Sequence, residues 1–247
     1  MLRKTRFPGA GSTVEAEFDR QLRQNVRDTW RVWLGFGLAI VGFAVWSALT
    51  GGIAARVLAF SSGGIAGMAL VVLGMGGHVS TFMWWLGVEG ERQTGREIEK
   101  LGADWHCEHS IKHRYGDWDH VLVGPPGIFL VDSKLLHGTA VVARDALRSG
   151  RLTYEGRRYR GSAKDLNTAL EARLARRAPF VTPVVAVWGQ LPQERIEEDG
   201  VVYLQGEHLA SWLSELPQKL NAPERAATIA ALKEARTELA VAARLEP

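Results

Sequence analysis

Cysteine is almost absent from this chain, and so are several other common features. The single cysteine among 247 residues, Cys107, excludes an internal disulfide and is typical of a reducing compartment. The sequence contains no internal repeat and no dinucleotide-type or Walker-type glycine loop. Residues 89–247 carry 22 Lys/Arg against 23 Asp/Glu. This near-neutral balance argues against a protein that coats nucleic acid by bulk charge.

Charged residues are also absent from two long stretches near the N-terminus, Val32 to Thr50 and Val57 to Val88. Each is long enough to cross a hydrocarbon core of about 30 Å, which takes roughly 20 helical residues. Residues 32–86 are therefore predicted to form a transmembrane helical hairpin. A cleaved signal peptide is disfavoured because the first apolar run starts late and is too long. A pair of buried core helices stays open as the alternative.

Flanking charges predict how that hairpin is oriented. Seven Lys/Arg precede it in residues 1–31 and only Arg56 lies in its turn, so both termini are expected on the cytoplasmic side of the cell membrane. The basic segment 1–31 is interpreted as a solvated cytoplasmic helix, with a helix lying on anionic lipid as the alternative. Gly63 and Gly67 have the small-xxx-small spacing of associating transmembrane helices. Self-association and packing within one hairpin both explain that spacing.

The soluble part of the chain is organised around Gly116 to Lys134. Two apolar runs flank a Gly-Pro-Pro-Gly sequence that favours a chain reversal, which predicts a β-hairpin. Because neighbouring antiparallel strands lie about 5 Å apart, Asp119, Asp132 and Lys134 can converge at one end of it. Alternation places Asp132 and Lys134 on one face and Ser133 on the other. Two carboxylates and an ammonium in a small volume suit a divalent cation and an anionic substrate.

Three short motifs carry a family resemblance. Gly90-Glu91-Arg92 opening a helix, Asp119-His120 before the hairpin turn and Asp132-Ser133-Lys134 after it resemble the nuclease-related domain (NERD) family of the PD-(D/E)XK nuclease superfamily. The resemblance implies an α/β fold with a restriction-endonuclease-like mixed sheet flanked by helices, in a domain of residues 87–205 that follows the transmembrane hairpin. Residues 206–247 are expected to add C-terminal helices.

The resemblance also implies which residues form the site. Asp119 and Asp132 would be ligands of Mg²⁺ or Mn²⁺, and Glu91 a third ligand or a group that orients water. Lys134 would stabilise charge or position the attacking water. A solvated acid in the first turn of a helix is the alternative for Glu91, and Glu89 and Glu97 are the less favoured candidates for its role. Asp132 departs from the family pattern, because many relatives carry glutamate there and the aspartate carboxylate reaches one methylene less.

Histidines just before the hairpin invite a metal interpretation. His106, Cys107, His109 and His113 are the residue types of a zinc site. They fall where the family fold has a strand, on which they would not all converge, so the histidines are interpreted as ordinary surface or edge residues. His120 is expected to point away from Asp119 and to support packing.

Arginines beyond the hairpin are candidate nucleic-acid contacts. Residues 144–177 hold ten Lys/Arg against four Asp/Glu, and Arg157, Arg158 and Arg160 could contact a phosphate backbone. A solvated arginine-rich hairpin is the alternative. The sequence thus predicts a membrane-anchored nuclease that hydrolyses phosphodiester bonds with Mg²⁺, acting on DNA in preference to RNA near the lipid bilayer. A catalytically inactive membrane-tethered scaffold or nucleic-acid-binding module on the same fold is the other interpretation.

Overall fold

The computed structural model describes residues 87–113, 116–174 and 179–245, together with isolated positions between 23 and 53. The residues from 87 onward form one compact unit, and the described positions between 23 and 53 belong to a second one. In this second unit the described positions between 34 and 49 are helical. Their large apolar side chains, such as those of Leu38, Val41 and Leu49, are exposed.

The described part of the chain contains no helix that is both long enough and apolar enough to span a membrane. Most of the predicted transmembrane hairpin, including Gly63 and Gly67, lies outside the described residues, as does nearly all of segment 1–31. The membrane anchor, its orientation and its self-association therefore stay predictions.

The compact unit combines helices and strands in mixed order. In chain order its elements are α1 (87–98), β1 (His106–His113), β2 (Gly116–Gly124), β3 (Gly127–Thr139), β4 (Val141–Val142), β5 (Ala146–Ser149), β6 (Leu152–Glu155), α2 (Gly156–Glu171), β7 (Val181–Gln190), β8 (Arg195–Glu198), β9 (Val201–Gln205), a 3₁₀ turn (Gly206–His208), α3 (Leu209–Glu215) and α4 (Ala222–Leu245).

Six of the strands form one mixed sheet in the order β1-β2-β3-β7-β9-β8. Strands β3, β7 and β9 run parallel, whereas β1, β2 and β8 pair antiparallel with their neighbours. Strands β4, β5 and β6 form a second, antiparallel sheet. The predicted α/β class, a mixed sheet flanked by helices, is confirmed.

The predicted hairpin at the centre of the domain is confirmed. Strands β2 and β3 pair with Gly124 opposite Gly127 and Val123 opposite Ile128. Gly127 has φ +146°, a backbone conformation that a residue with a Cβ rarely adopts. The Pro125 carbonyl in this turn accepts backbone N–H groups from Lys219 and Leu220 at 2.8 and 2.9 Å. The chain leading into α4 is thereby hydrogen-bonded to the hairpin turn.

Helices cover both faces of the large sheet. One face packs against α1 and α3 in a core that includes Ile98, Leu122 and Leu213. The other face packs against α2 and α4, with Val121, Leu166 and Leu232 in its core. Alternating residues of β2 and β3 serve the two cores, as expected for strands covered on both sides. The C-terminal helices α3 and α4 therefore contribute core residues to the same unit as the hairpin.

Helix α2 begins earlier than the leucine spacing in the sequence suggests. Leu166, Leu170 and Leu174 recur every four residues and predict a helix from Ala163 to Arg177. The structure has this helix at Gly156–Glu171. Tyr159 is buried on the same side as Ala163, Leu166 and Leu170, which extends the helical period one turn toward the N-terminus. Arg157, Arg158 and Arg160 consequently lie in the first turns of α2 and not in a hairpin.

Candidate active site

Strand β3 presents Asp132 and Lys134 side by side on the face that α2 covers. The Lys134 Nζ forms an ion pair with Asp132 Oδ2 and donates to the Ser133 carbonyl at 3.3 Å. The same ammonium lies 5.3 Å from the ring centroid of Tyr154 on β6, within the range of a cation–π contact. Alternation along the strand thus brings the predicted acid and lysine together.

Asp119 joins them from the neighbouring strand. The register that places His120 opposite Val131 brings Asp119 opposite Asp132 when it is continued by one residue. The Asp119 Oδ2 accepts the backbone N–H of Ser133 at 2.8 Å, so this carboxylate takes the place of a strand carbonyl at the end of the β2–β3 ladder. Asp119, Asp132 and Lys134 therefore converge as the sequence predicted.

The electrostatics of this group are those of two crowded acids with one cation. Burial, followed by the negative charge of Asp132, raises the pKa of Asp119 from 3.8 to about 7, although Lys134 and the Ser133 N–H oppose the shift. Burial alone would lower the pKa of Lys134, but the two aspartates outweigh it and raise that pKa above 10.5. The lysine stays protonated, and Asp119 is poised to gain or lose a proton near neutral pH.

Asp119 and Asp132 line a cleft of about 240 Å³ between the sheet and α2. Its helical wall includes Arg158, Tyr159, Ser162 and Asp165, and its rim carries His113 and Asp117. Of these, sequence reasoning singled out Arg158 as a phosphate contact. It missed Ser162 because it placed the start of α2 at Ala163, seven residues or about two turns too late.

The remaining two predicted nucleic-acid contacts have carboxylate partners within the domain. Arg157 pairs with Glu155, an exposed neighbour, and Arg160 forms a two-pronged pair with Asp145. Among the described residues that line the cleft, Arg158 is the member of the trio. Arg158 is therefore the one of the three for which the structure shows a position beside the candidate site.

Glu91 lies apart from the cleft lining. It is buried, at 6 % exposure, on the sheet-facing side of α1, one turn before Thr94. The Ser133 Oγ donates to Thr94 Oγ1 at 2.8 Å, so this side of α1 contacts the strand face opposite to Asp132. The described cleft residues do not include Glu91, and its role as a third ligand stays a prediction.

The face of the sheet under α1 carries an unexpected polar cluster. Cys107, His109 and His120 are all buried, and one potential ligand atom from each lies within 4.8 Å of the others, so the group could hold a metal ion. The interpretation of His109 as an ordinary surface or edge histidine is thus wrong, because its side chain is buried. Strand alternation brings Cys107 and His109 to one face, and cross-strand pairing places His120 opposite His109.

The other histidines of that stretch point elsewhere. His106 pairs with Glu108, and His113 Nδ1 donates to the Gly116 carbonyl at 2.7 Å. The prediction that His120 points away from Asp119 is confirmed, because its Nε2 lies 3.2 Å from Ser133 Oγ on the α1 side. Burial raises the pKa of the Cys107 thiol and lowers that of the His120 imidazole. Without a bound cation, both groups are uncharged near neutral pH.

Comparison with known proteins gives one informative result. No curated protein and no solved structure matches this chain significantly. A family match does cover the part of the chain that holds the cleft acids, the lysine and the buried histidines. Residues 86–188 match the model of the nuclease-related domain (NERD) family.

Proposed function

We propose that this protein is a membrane-anchored nuclease that hydrolyses phosphodiester bonds of nucleic acid with a divalent metal ion, Mg²⁺ or Mn²⁺. The observation that carries the proposal is the convergence of Asp119, Asp132 and Lys134, with the two aspartates lining a cleft, in the segment that matches the nuclease-related domain. DNA is the preferred substrate class, with RNA as the alternative.

The cleft residues fit a hard divalent cation. Carboxylate oxygens are the ligands that Mg²⁺ takes in proteins, and Asp119 and Asp132 offer them from adjacent strands. Burial, followed by the negative charge of Asp132, raises the pKa of Asp119, and a bound dication would favour the ionised form of this carboxyl group. Asp119 and Asp132 would hold the ion, with Glu91 as a third candidate. The ion would supply an acidic bound water and a polarised phosphate oxygen.

The chain's own groups account for the other requirements of the reaction. The Lys134 ammonium is held in place by Asp132 and the Ser133 carbonyl, where it can stabilise negative charge on a bound phosphate. Arg158 on the helical wall can pair with a neighbouring phosphate of the same strand. The 2.8 Å hydrogen bond from the Ser133 N–H to Asp119 Oδ2 restricts rotation of this carboxylate.

A catalytically inactive scaffold or nucleic-acid-binding module is the second candidate. It is favoured by two ion pairs of the predicted site residues, one between Lys134 and Asp132 and one between Arg160 and Asp145. Acids and bases that neutralise one another need no substrate or metal to explain their presence. The shorter side chain of Asp132, compared with the glutamate of many relatives, points in the same direction.

The membrane anchor is part of the proposal. Its support is the lack of charged residues from Val32 to Thr50 and from Val57 to Val88, together with exposed large apolar side chains at helical positions between 34 and 49. The anchor would hold the domain and both termini on the cytoplasmic side. Full-length protein in the soluble fraction without detergent would contradict it.

A metal-dependent cleavage assay separates the two candidates. The full chain is expected to cleave labelled DNA, tested beside RNA, with Mg²⁺ but not with EDTA. Asp132→Ala and Lys134→Ala should each lower the rate about 100-fold or more while circular dichroism shows a folded domain. Glu197→Ala, which removes an exposed carboxylate from β8 at the far edge of the sheet, is the control and should keep full activity.

Each outcome of that assay has one meaning. Equal cleavage by the wild type and both cleft variants would identify a contaminating nuclease and overturn the assignment of the site. If the folded wild type cleaves neither nucleic acid under Mg²⁺ or Mn²⁺, the inactive scaffold is the correct function.

A further inference from the structure

A continuous chain of buried polar side chains runs under α1, on the opposite side of β3 from the cleft. Trp188 Nε1 and Ser133 Oγ both donate to Thr94 Oγ1 at 2.8 Å, and Thr94 Oγ1 donates to the Gly90 carbonyl at 3.0 Å. His120 Nε2 lies 3.2 Å from Ser133 Oγ, and His120 Nδ1 lies 2.6 Å from His109 Nδ1.

The donors and acceptors in this series of hydrogen bonds determine where each proton lies. The Trp188 indole can only donate and the Gly90 carbonyl can only accept, so the single hydroxyl proton of Thr94 is committed to Gly90. Ser133 must then spend its own proton on Thr94. His120 Nε2 therefore carries the proton that it donates to Ser133 Oγ. In the neutral imidazole this leaves a lone pair on Nδ1.

That lone pair faces the imidazole of His109, which lies beside the Cys107 thiol. His109 Nδ1 is 2.6 Å from His120 Nδ1 and 3.7 Å from Cys107 Sγ. Cys107, His109 and His120 are exposed by 6 %, 6 % and 0 %, and Cys107 belongs to the apolar core with Trp105 and Leu122. One thiol and two imidazoles in an apolar shell are the donor set of a zinc-type site.

We propose that Cys107, His109 and His120 bind a transition-metal ion of the zinc class as three protein ligands, at a site separate from the cleft that Asp119 and Asp132 line. The hydrogen bond from His120 Nε2 to Ser133 Oγ is the kind of outer contact that orients a metal-bound imidazole. The bound ion would join β1 to β2 and, through Ser133, tie both strands to β3 and α1.

The three ligand atoms lie within 4.8 Å of one another, so a pair at that limit must close by about 1 Å to reach the spacing around a tetrahedral ion. Bond lengths of about 2.0–2.3 Å place the ligand atoms of a tetrahedral zinc ion about 3.3–3.6 Å apart. The 3.7 Å between Sγ and His109 Nδ1 is already close to that spacing. The two Nδ1 atoms, now 2.6 Å apart, would separate by about 0.7 Å, which small side-chain rotations can supply.

Proton balance follows from the assigned positions. In the metal-free protein His109 Nδ1 carries the proton that it donates to His120 Nδ1. On metal binding, that proton moves to His109 Nε2, both Nδ1 lone pairs face the ion, and the Cys107 thiol releases its proton to solvent. One proton is thus released for each ion bound, and no oxidation or reduction takes place.

Metal content of the purified full chain tests the proposal, with any affinity tag removed. The wild type is expected to hold about one zinc per chain after incubation with Zn²⁺ and dialysis, and Cys107→Ser less than about a tenth of that. His208→Ala, which removes a half-exposed histidine of the 3₁₀ turn, is the matched control and should keep its zinc. Asp132→Ala should also keep it, so loss of cleft activity and loss of zinc are distinguishable.

X-ray absorption of the zinc-loaded wild type gives a second readout that needs no folded variant. One sulfur neighbour at about 2.3 Å and at least two nitrogen neighbours at about 2.0 Å are expected. Zinc with no sulfur neighbour, a wild type that retains no zinc, or equal zinc in wild type and Cys107→Ser would each overturn the proposal. The three residues would then form a metal-free hydrogen-bonded chain.

Discussion

Replacing Asp119 by asparagine should stabilise the metal-free protein, and more so as the pH rises. Asp119 has its pKa raised from 3.8 to about 7, so the folded state binds this proton more tightly than the unfolded chain does. The contribution of this group to stability is therefore fully present below pH 3.8 and is lost as the pH rises through about 7. Asparagine removes the charge and keeps an oxygen to accept the Ser133 N–H.

The size of the effect follows from the pKa difference. A tenfold change in proton affinity is worth about 1.4 kcal/mol, so the shift from 3.8 to about 7 corresponds to at most about 4 kcal/mol. Because Asp119 is half-buried beside an open cleft, solvent screening reduces the expected gain at pH 8 to about 2 kcal/mol. For a chain of this size that gain raises Tm by about 4–8 °C.

Thermal unfolding of the full chain in EDTA at pH 4, 6 and 8 measures this directly. The Tm difference between Asp119→Asn and wild type should be near zero at pH 4 and largest at pH 8. Asp165→Asn, an exposed acid on the helical wall of the same cleft, is the matched control and should show no such trend. Mg²⁺ at about 100 times its Kd should add about 2.7 kcal/mol to wild type at pH 8 and almost nothing to Asp119→Asn. A variant less stable than wild type at pH 8, or a difference independent of pH, would refute the reasoning.

Two predictions concern the packing that supports the site. Gly124→Ala should destabilise the domain by about 1–3 kcal/mol, because the new Cβ would lie 2.3 Å from the Trp105 ring. Gly161→Ala on α2 should instead stabilise it by about 0.5–1 kcal/mol, because nothing lies within 4 Å of the new Cβ. Urea unfolding measures both changes, and the same sign for the two would contradict the prediction. Leu232→Ala should lower the free energy of unfolding by about 2–5 kcal/mol, since Leu232 of α4 is fully buried. Replacing its exposed neighbour, in Lys233→Ala, should change that free energy by no more than about 0.5 kcal/mol. Equal urea midpoints for these two variants would show that α4 does not share the domain core.

Short-range sequence patterns were sufficient to predict the β2–β3 hairpin and the convergence of its two acids. The turn chemistry of Gly-Pro-Pro-Gly fixes where β2 ends and β3 begins, and the two-residue period of a strand then places Asp132 and Lys134 on one face. Asp119 follows from antiparallel register alone. These inferences depend on residues close in sequence, so no knowledge of the wider packing was needed.

The buried histidine cluster and the helical wall of the cleft depend on contacts that local patterns do not contain. His109 meets His120 only because β1 pairs with β2 in one particular register, which the apolar pattern of β1 does not specify. The first turn of α2 is rich in glycine and arginine, and its single buried aromatic, Tyr159, gives a weak helical signal. The burial of Glu91 and the pairing of Arg160 with Asp145 likewise depend on how separate elements pack.

Strand β3 constrains how the chain can evolve in length. Asp132 and Lys134 point to the α2 side of the sheet, whereas Ser133 between them points to the α1 side. Inserting or deleting a single residue upstream within the strand would therefore exchange the residues on the two sides. Natural length variants of this domain should therefore change β3 by residue pairs. Odd-numbered changes should fall between Leu135 and Thr139, where the pairing with β7 already slips and an extra residue can be absorbed as a bulge.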